Sequence, residues 1–183
     1  MIEKEEHAVI LDYLPYGYPL EKKMMPIAQA IGTKNLTLLQ LVPRRGIKLE
    51  VGEKVYIGEK KREKIYYILG RLMENKMTET AKQQLESFIE EVINEKEQMI
   101  IDFFNNADAI NARLHQFELL PGFGKRHTSA LLSERNKKLF ESLEDLKKRV
   151  SNLPDPKRAI EKRLWDEILG KEKYYLFMGK IEN

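Results

Sequence analysis

Leu119-Leu120-Pro121-Gly122-Phe123-Gly124-Lys125 sets a proline and two glycines between segments whose apolar spacing is helical. Upstream, Ile110, Leu114 and Phe117 recur at helical intervals between Ala107 and Phe117. Downstream, Thr128, Ala130, Leu131 and Leu132 open a helix that runs to Arg135. The spacing predicts two helices meeting at a glycine turn. Gly122 and Gly124 admit positive φ and a close backbone approach. The first N–H groups of the second helix then point outward at its positive dipole end, where a phosphate fits. Lys125 and Arg126 add full charges at that spot. The predicted contact set at the turn is Gly122, Phe123, Gly124, Lys125, Arg126 and Thr128.

From Leu120 to Ala130 the chain resembles the helix-hairpin-helix motif, in which Leu-Pro-Gly-apolar-Gly joins two helices and a small residue lies six positions beyond the second glycine. The likeness continues through Phe140-Glu141-Ser142-Leu143-Glu144-Asp145-Leu146, similar to the segment that commonly follows such hairpins. A plain helix turn with a glycine C-cap needs one glycine, not this whole pattern.

Toward the N-terminus the period changes. Ala8 to Leu14 is apolar and β-branched, a strand, and Pro15-Tyr16-Gly17-Tyr18-Pro19 closes it with a loop. Met25 to Ile31 and Leu36 to Val42 read as a hairpin around Gly32-Thr33-Lys34-Asn35. After Pro43-Arg44-Arg45-Gly46, Ile47, Leu49 and Val51 alternate with Lys48 and Glu50. Lys54 to Ile57 and Ile65 to Leu69 give two more strands around the charged loop from Gly58 to Lys64. Short strands at this density imply a small barrel or sandwich. The run Leu49-Glu50-Val51-Gly52-Glu53-Lys54-Val55 resembles the strand-turn-strand segment of OB-like barrels. Tyr13, Tyr16 and Tyr18 are candidates to stack bases or to fill the barrel end.

Between barrel and turn, Leu85, Phe88, Ile89, Val92, Ile93, Ile100, Phe103 and Phe104 mark one amphipathic helix, with Thr80 and Gln83 as its capping box. Its acidic face, Glu86, Glu90, Glu91, Glu95 and Glu97, is a solvated one. Beyond the turn, Ser142 and Asp145 cap a helix carrying Leu143, Leu146 and Val150. Asp155 and Pro156 start another, with Ile160, Leu164 and Ile168, that ends at Gly170. The two resemble a second, degenerate hairpin. Tyr174 to Met178, with Ile181, reads as a short strand. The predicted architecture is α+β: a small OB-like β-barrel over residues 1–77, a connecting helix over 78–105, and a tandem helix-hairpin-helix-like domain over 106–183.

Net charge is only +3, yet it is unevenly spread: 14 basic against 10 acidic residues in 1–77, 2 against 7 in 78–105, and 16 against 12 in 106–183. Two basic ends suit a polyanionic partner. Arg44 and Arg45, with Lys60, Lys61 and Arg62, are the barrel's candidates for phosphate contact. Cysteine is absent, so neither disulfides nor thiolate metal sites arise. A charged N-terminus and the want of a long apolar run predict a cytoplasmic protein without a membrane span. Phosphate-loop, H-E-x-x-H and G-x-S-x-G patterns do not occur, and Gly122-x-Gly124 meets His127 where a dinucleotide fingerprint needs its third glycine. His7, His115 and His127 are too scattered to suggest a metal triad.

Barrel, linking helix and the Leu-Pro-Gly-Phe-Gly-Lys hairpin together resemble an archaeal family of uncharacterised proteins predicted to bind RNA. The resemblance implies nucleic-acid contact through hairpin and barrel without catalysis, and the family's hairpin matches here at Gly122, Phe123, Gly124 and Lys125. The sequence therefore reads as a non-catalytic nucleic-acid-binding protein, RNA favoured over DNA, with no cofactor, metal or catalytic residue. An adaptor whose hairpins dock a protein partner is the alternative reading, and a nucleic-acid-processing enzyme a remoter one.

Overall fold

The apolar run predicted as the first strand forms β1 (His7–Leu14), which pairs antiparallel with β2 (Ile27–Gly32). β2 in turn pairs with β3 (Leu38–Pro43), Ala30 opposite Leu39, so the expected hairpin is present. β4 (Lys54–Tyr56) and β5 (Ile65–Arg71) complete the sheet in the order β4-β1-β2-β3-β5. The result is a curled, five-stranded antiparallel half-barrel, with further helices making the chain α+β. Ala8, Ile10, Ala28, Ala30, Leu41, Leu49, Val55, Ile57 and Ile65 fill its concave side. The computed structural model describes residues 4–179.

One strand expected in this sheet is not formed, and two that are formed lie at its opposite edges. Residues 47–51 form no strand: only Leu49 of the alternating set is buried, and the following turn bonds to β1 instead, Gly52 N–H donating to Ile10 O at 2.7 Å. β4 and β5 both exist but do not pair with each other. β4 lies on β1 and β5 on β3, so the charged loop 57–64 carries the chain from one sheet edge to the other.

Alternation puts Gln29 and Gln40 on the opposite face from the alanines and Leu41. Both amides are buried and fully engaged. Gln29 Nε2 donates to Lys76 O at 2.6 Å and its Oε1 accepts Thr78 N–H at 3.0 Å; Gln40 Nε2 donates to Arg71 O at 2.9 Å. Tyr18 joins them, its hydroxyl donating to Gln40 Oε1 at 2.7 Å, so this tyrosine is committed to the interior, and burial raises its phenol pKa. Glu5 pins the β2–β3 turn, its carboxylate accepting from the N–H groups of Lys34, Asn35 and Thr37 at 2.8, 2.8 and 3.2 Å. A Cβ on Gly32 would fall 2.0 Å from that carboxyl carbon, which is why a glycine stands there.

The connecting segment is two helices, α1 (Glu79–Glu95) and α2 (Glu97–Asn106), broken at Lys96 with φ −120° and ψ 47°. The cap of α1 is Thr78 and not the expected Thr80: its Oγ1 accepts Ala81 N–H at 3.0 Å and donates to Asp12 Oδ2 at 2.5 Å. The chain divides into two units within α1. One takes residues 4–88 with Ile168–Lys171, the other Ile89–Glu167 with residues 172–179.

In the second unit, Ala107 to Phe117 is not the predicted helix. β6 (Ala109–Asn111) and β7 (Leu114–His115) form a small ribbon, followed by a single 3-10 turn, Gln116–Leu119. Short polar side chains take the backbone donors a helix would use: Asp108 Oδ1 accepts Ala109 N–H at 2.7 Å, and Asn111 Oδ1 accepts Arg113 N–H at 2.8 Å. α3 (Lys125–Lys137), α4 (Leu143–Arg149) and α5 (Pro156–Ile168) follow. The caps expected for the last two are present, Ser142 Oγ accepting Asp145 N–H at 3.0 Å and Asp155 Oδ1 accepting Arg158 N–H at 3.2 Å. Phe103, Phe104, Phe117 and Phe177 form an aromatic core with ring centroids 5.0 to 5.9 Å apart. Residues 174–178 adopt no strand, and Ile181 lies outside the described residues.

Candidate nucleic-acid interface

The proline-glycine turn is rigidly built. Phe123 N–H donates to Leu120 O at 3.0 Å, and Phe123 is 5% exposed, its ring 6.1 Å from Phe104 and 5.7 Å from His127. Its side chain therefore belongs to the core, and the surface of the turn is made by its neighbours. Thr128 is likewise buried, its hydroxyl donating to Gly124 O at 3.1 Å. Gly122, Gly124, Lys125 and Arg126 are brought together at the surface, at the first turn of α3.

The two glycines have different physical reasons. Gly122 sits at φ +83°, and a Cβ there would lie 3.2 Å from Pro154 Cγ. Gly124 has an extended φ of −120° and nothing within 4 Å of an added Cβ. Gly122→Ala should thus cost about 1–2 kcal/mol, the left-handed penalty, and Gly124→Ala no more than about 1 kcal/mol, the loss of a glycine N-cap. Urea denaturation of the two variants measures this difference; equal losses would refute it.

Polar groups around the turn are already partnered in part. Gly124 N–H donates to His127 Nδ1 at 3.1 Å, so that amide is occupied. The N–H groups of Lys125, Arg126 and His127 precede the first intrahelical bond, which runs from Thr128 N–H to Gly124 O at 3.0 Å, and have no acceptor within α3. Lys125 Nζ donates to Glu118 Oε1 at 3.0 Å and Arg113 O at 2.8 Å. The hydrogen bond from Lys125 lowers the Glu118 pKa, so the carboxylate stays ionised. His115 Nδ1 accepts Phe117 N–H at 3.1 Å, and burial, aided by the Arg135 charge, lowers its pKa and keeps it neutral. Arg126 is exposed and makes no ion pair among the described residues.

The family model described as "Protein of unknown function (DUF655)" matches residues 4–179. The chain belongs to this family. Among DUF655 relatives, "Uncharacterized protein MJ0038" of Methanocaldococcus jannaschii is 39% identical over 176 residues, which cover 95% of this chain and 80% of that one. The DUF655 crystal structure of Af1531 from Archaeoglobus fulgidus superposes with a TM-score of 0.78 at 39% identity, covering 96% of this chain and 99% of the other. DUF655 is thus a family with archaeal members, as the sequence's likeness to an archaeal family implied.

Arg44 and Arg45 belong to the half-barrel unit and stand apart in sequence from the α3 turn. Both are exposed, and Arg44 Nε donates to Arg62 O at 2.7 Å. Among the described residues no group of three or more His, Asp or Glu side chains is placed to hold a metal ion, and no helix is long and apolar enough to cross a membrane.

Sequence reasoning missed what positions the turn from behind. Arg163 on α5 donates through Nη1 to Leu119 O at 3.3 Å and to Glu172 Oε2 at 2.8 Å, and through Nη2 to Tyr174 O. Arg163 Nε donates to Glu167 Oε1 at 3.2 Å. Glu167 is wholly buried and also accepts the N–H groups of Leu176, Phe177 and Met178 at 2.6, 3.1 and 3.1 Å. The one available signal was Arg163 and Glu167 four apart on the face carrying Ile160 and Leu164.

Proposed function

We propose that the protein is a non-catalytic nucleic-acid-binding protein, RNA favoured over DNA, that grips phosphates through the Leu120–Gly124 turn and the basic loop at Arg44 and Arg45. The observation that carries this reading is the first turn of α3. Its opening N–H groups lie at the positive end of a 13-residue helix, behind a turn fixed by a buried phenylalanine, with Lys125 and Arg126 exposed beside them. We read this turn as the phosphate-facing half of a helix-hairpin-helix, with the 3-10 turn at Gln116–Leu119 in place of a longer first helix. The order β4-β1-β2-β3-β5 supports reading the sheet as an OB-like barrel open between β4 and β5. RNA is favoured by the family likeness drawn from the sequence.

Fluorescence anisotropy against a salt series tests the proposal. Contacts from Arg44, Arg45, Lys125 and Arg126 predict a slope of log K against log salt of about −2.8 to −3.6, each charge contributing about 0.7 to 0.9. Arg126→Ala, the variant free of any ion-pair loss, should flatten the slope by about one such increment and leave folding intact. An affinity flat across salt would sink the phosphate reading and favour a protein partner.

A further inference from the structure

The half-barrel unit holds a cleft of about 750 Å³ lined by Tyr13, Tyr16, Tyr66, Arg44, Arg45 and Lys48, with Pro43 and Ile47 also in its wall. Its size lies in the range of ligand pockets, ~300–1,000 Å³. Two of its rings stand unusually open to water, Tyr16 at 72% and Tyr66 at 64% exposure. Tyr66 is steadied edge-on by Tyr67, 5.4 Å away. Several cations of this unit are matched with carboxylates: Lys4, Lys64, Lys76 and Lys171 pair with Glu59, Glu53, Glu21 and Glu74. Yet Arg44, Arg45 and Lys48, all exposed, meet no carboxylate among the described residues.

We propose that this cleft takes the unstacked bases of single-stranded nucleic acid, with Tyr16 and Tyr66 stacking on base faces and Arg44, Arg45 and Lys48 on the adjoining phosphates. The inference rests on the nucleic-acid reading above and narrows it to strand state. Two features of the lining decide the ligand class. Unpaired cations select a polyanion, and open π-faces select flat aromatic groups carried on it. A duplex presents the charge and hides the faces, so tyrosines at this rim are of use only to a single strand. The rim is also preset: Pro43 fixes its own φ, Arg44 N–H donates to Lys64 O at 2.8 Å, and the Arg44 side chain is held on Arg62 O. Tyr18, which sequence alone grouped with Tyr13 and Tyr16, does not line this cleft, and its hydroxyl is engaged with Gln29 and Gln40. Tyr66, which sequence alone passed over as a strand residue, takes its place.

Equilibrium binding of the full chain to three labelled probes of equal phosphate number per strand tests this: a 12-nucleotide single-stranded RNA, the same sequence as duplex, and an abasic single strand. The parent should prefer the base-bearing single strand. Tyr16→Ala/Tyr66→Ala should weaken it by roughly 5- to 150-fold per stacked base, while duplex affinity, salt slope and melting temperature stay at parental values. Tyr16→Phe/Tyr66→Phe, which keeps both π-faces, should bind as the parent does. If the alanine variant binds the single strand as tightly as the parent, or the abasic probe binds as well as the normal one, the stacking site is refuted and phosphate binding stands. Loss of single-strand and duplex binding together, with a reduced salt slope, also overturns it, since the rings would then only support the charged surface. A parent that binds none of the probes overturns both readings.

Discussion

Truncating Glu167 to alanine should cost the second unit about 3–5 kcal/mol, the usual loss when one partner of a buried ion pair is removed. The expected loss is large because the carboxylate answers four donors at once. It holds Arg163 and the amides of Leu176, Phe177 and Met178, and it is wholly shielded from water. Without it, a guanidinium that is 4% exposed keeps only Glu172 and backbone carbonyls for partners, and three amides lose their acceptor. Thermal and urea unfolding of the variant measures the loss. An Arg163→Met/Glu167→Met double variant should be less damaged than either single one, because replacing both charges by apolar groups removes the desolvation penalty along with the attraction. A Glu167→Ala protein within about 1 kcal/mol of the parent would mean that the pair contributes no more than an exposed one.

Phe123→Ala should destabilise the same unit by about 3–5 kcal/mol, as emptying a buried aromatic site does. This outcome separates two roles that its place between the two glycines leaves open in the sequence. A surface aromatic that meets nucleic acid would lower affinity with little effect on melting. The buried ring against Phe104 instead makes folding the first casualty, and any binding defect a consequence of a loosened turn. Phe123→Leu, which keeps most of the volume, should recover most of the stability. A Phe123→Ala variant that melts with the parent would overturn the core assignment.

Features that depend on four or five consecutive residues were legible in the sequence. Ser142 with Asp145, Asp155 with Pro156, and the β2–β3 hairpin are each local, and each is found where the pattern put it. What escaped was decided by distant partners. Thr78 outcompetes Thr80 as a cap because Asp12, 66 positions away, orients its hydroxyl. β4 and β5, adjacent in sequence, separate to opposite sheet edges, β4 pairing with β1 and β5 with β3, partners more than 20 residues away in the chain. The break at Lys96 left no mark on the periodicity, since Ile93 and Ile100 are seven apart and keep one face in register across it. At the candidate site the glycines and the two cations at Lys125 and Arg126 were readable from composition alone. The burial of Phe123 and Thr128 was not, because an apolar residue in a glycine turn carries no local sign of which way it faces.

The support behind the Leu120–Gly124 turn bears on the entropy of any encounter there. A free glycine-rich loop must be ordered when it closes on a ligand, at about 1–2 kcal/mol of backbone entropy per residue. Here Phe123 is sunk in the aromatic core, Gly122 faces Pro154, and the Leu119 carbonyl is gripped by an arginine that Glu167 itself holds in place. The disorder has been removed at folding. A ligand that meets the first amides of α3 finds them already aimed, so its binding should change the local amide exchange rates little and leave the turn's conformation as it was.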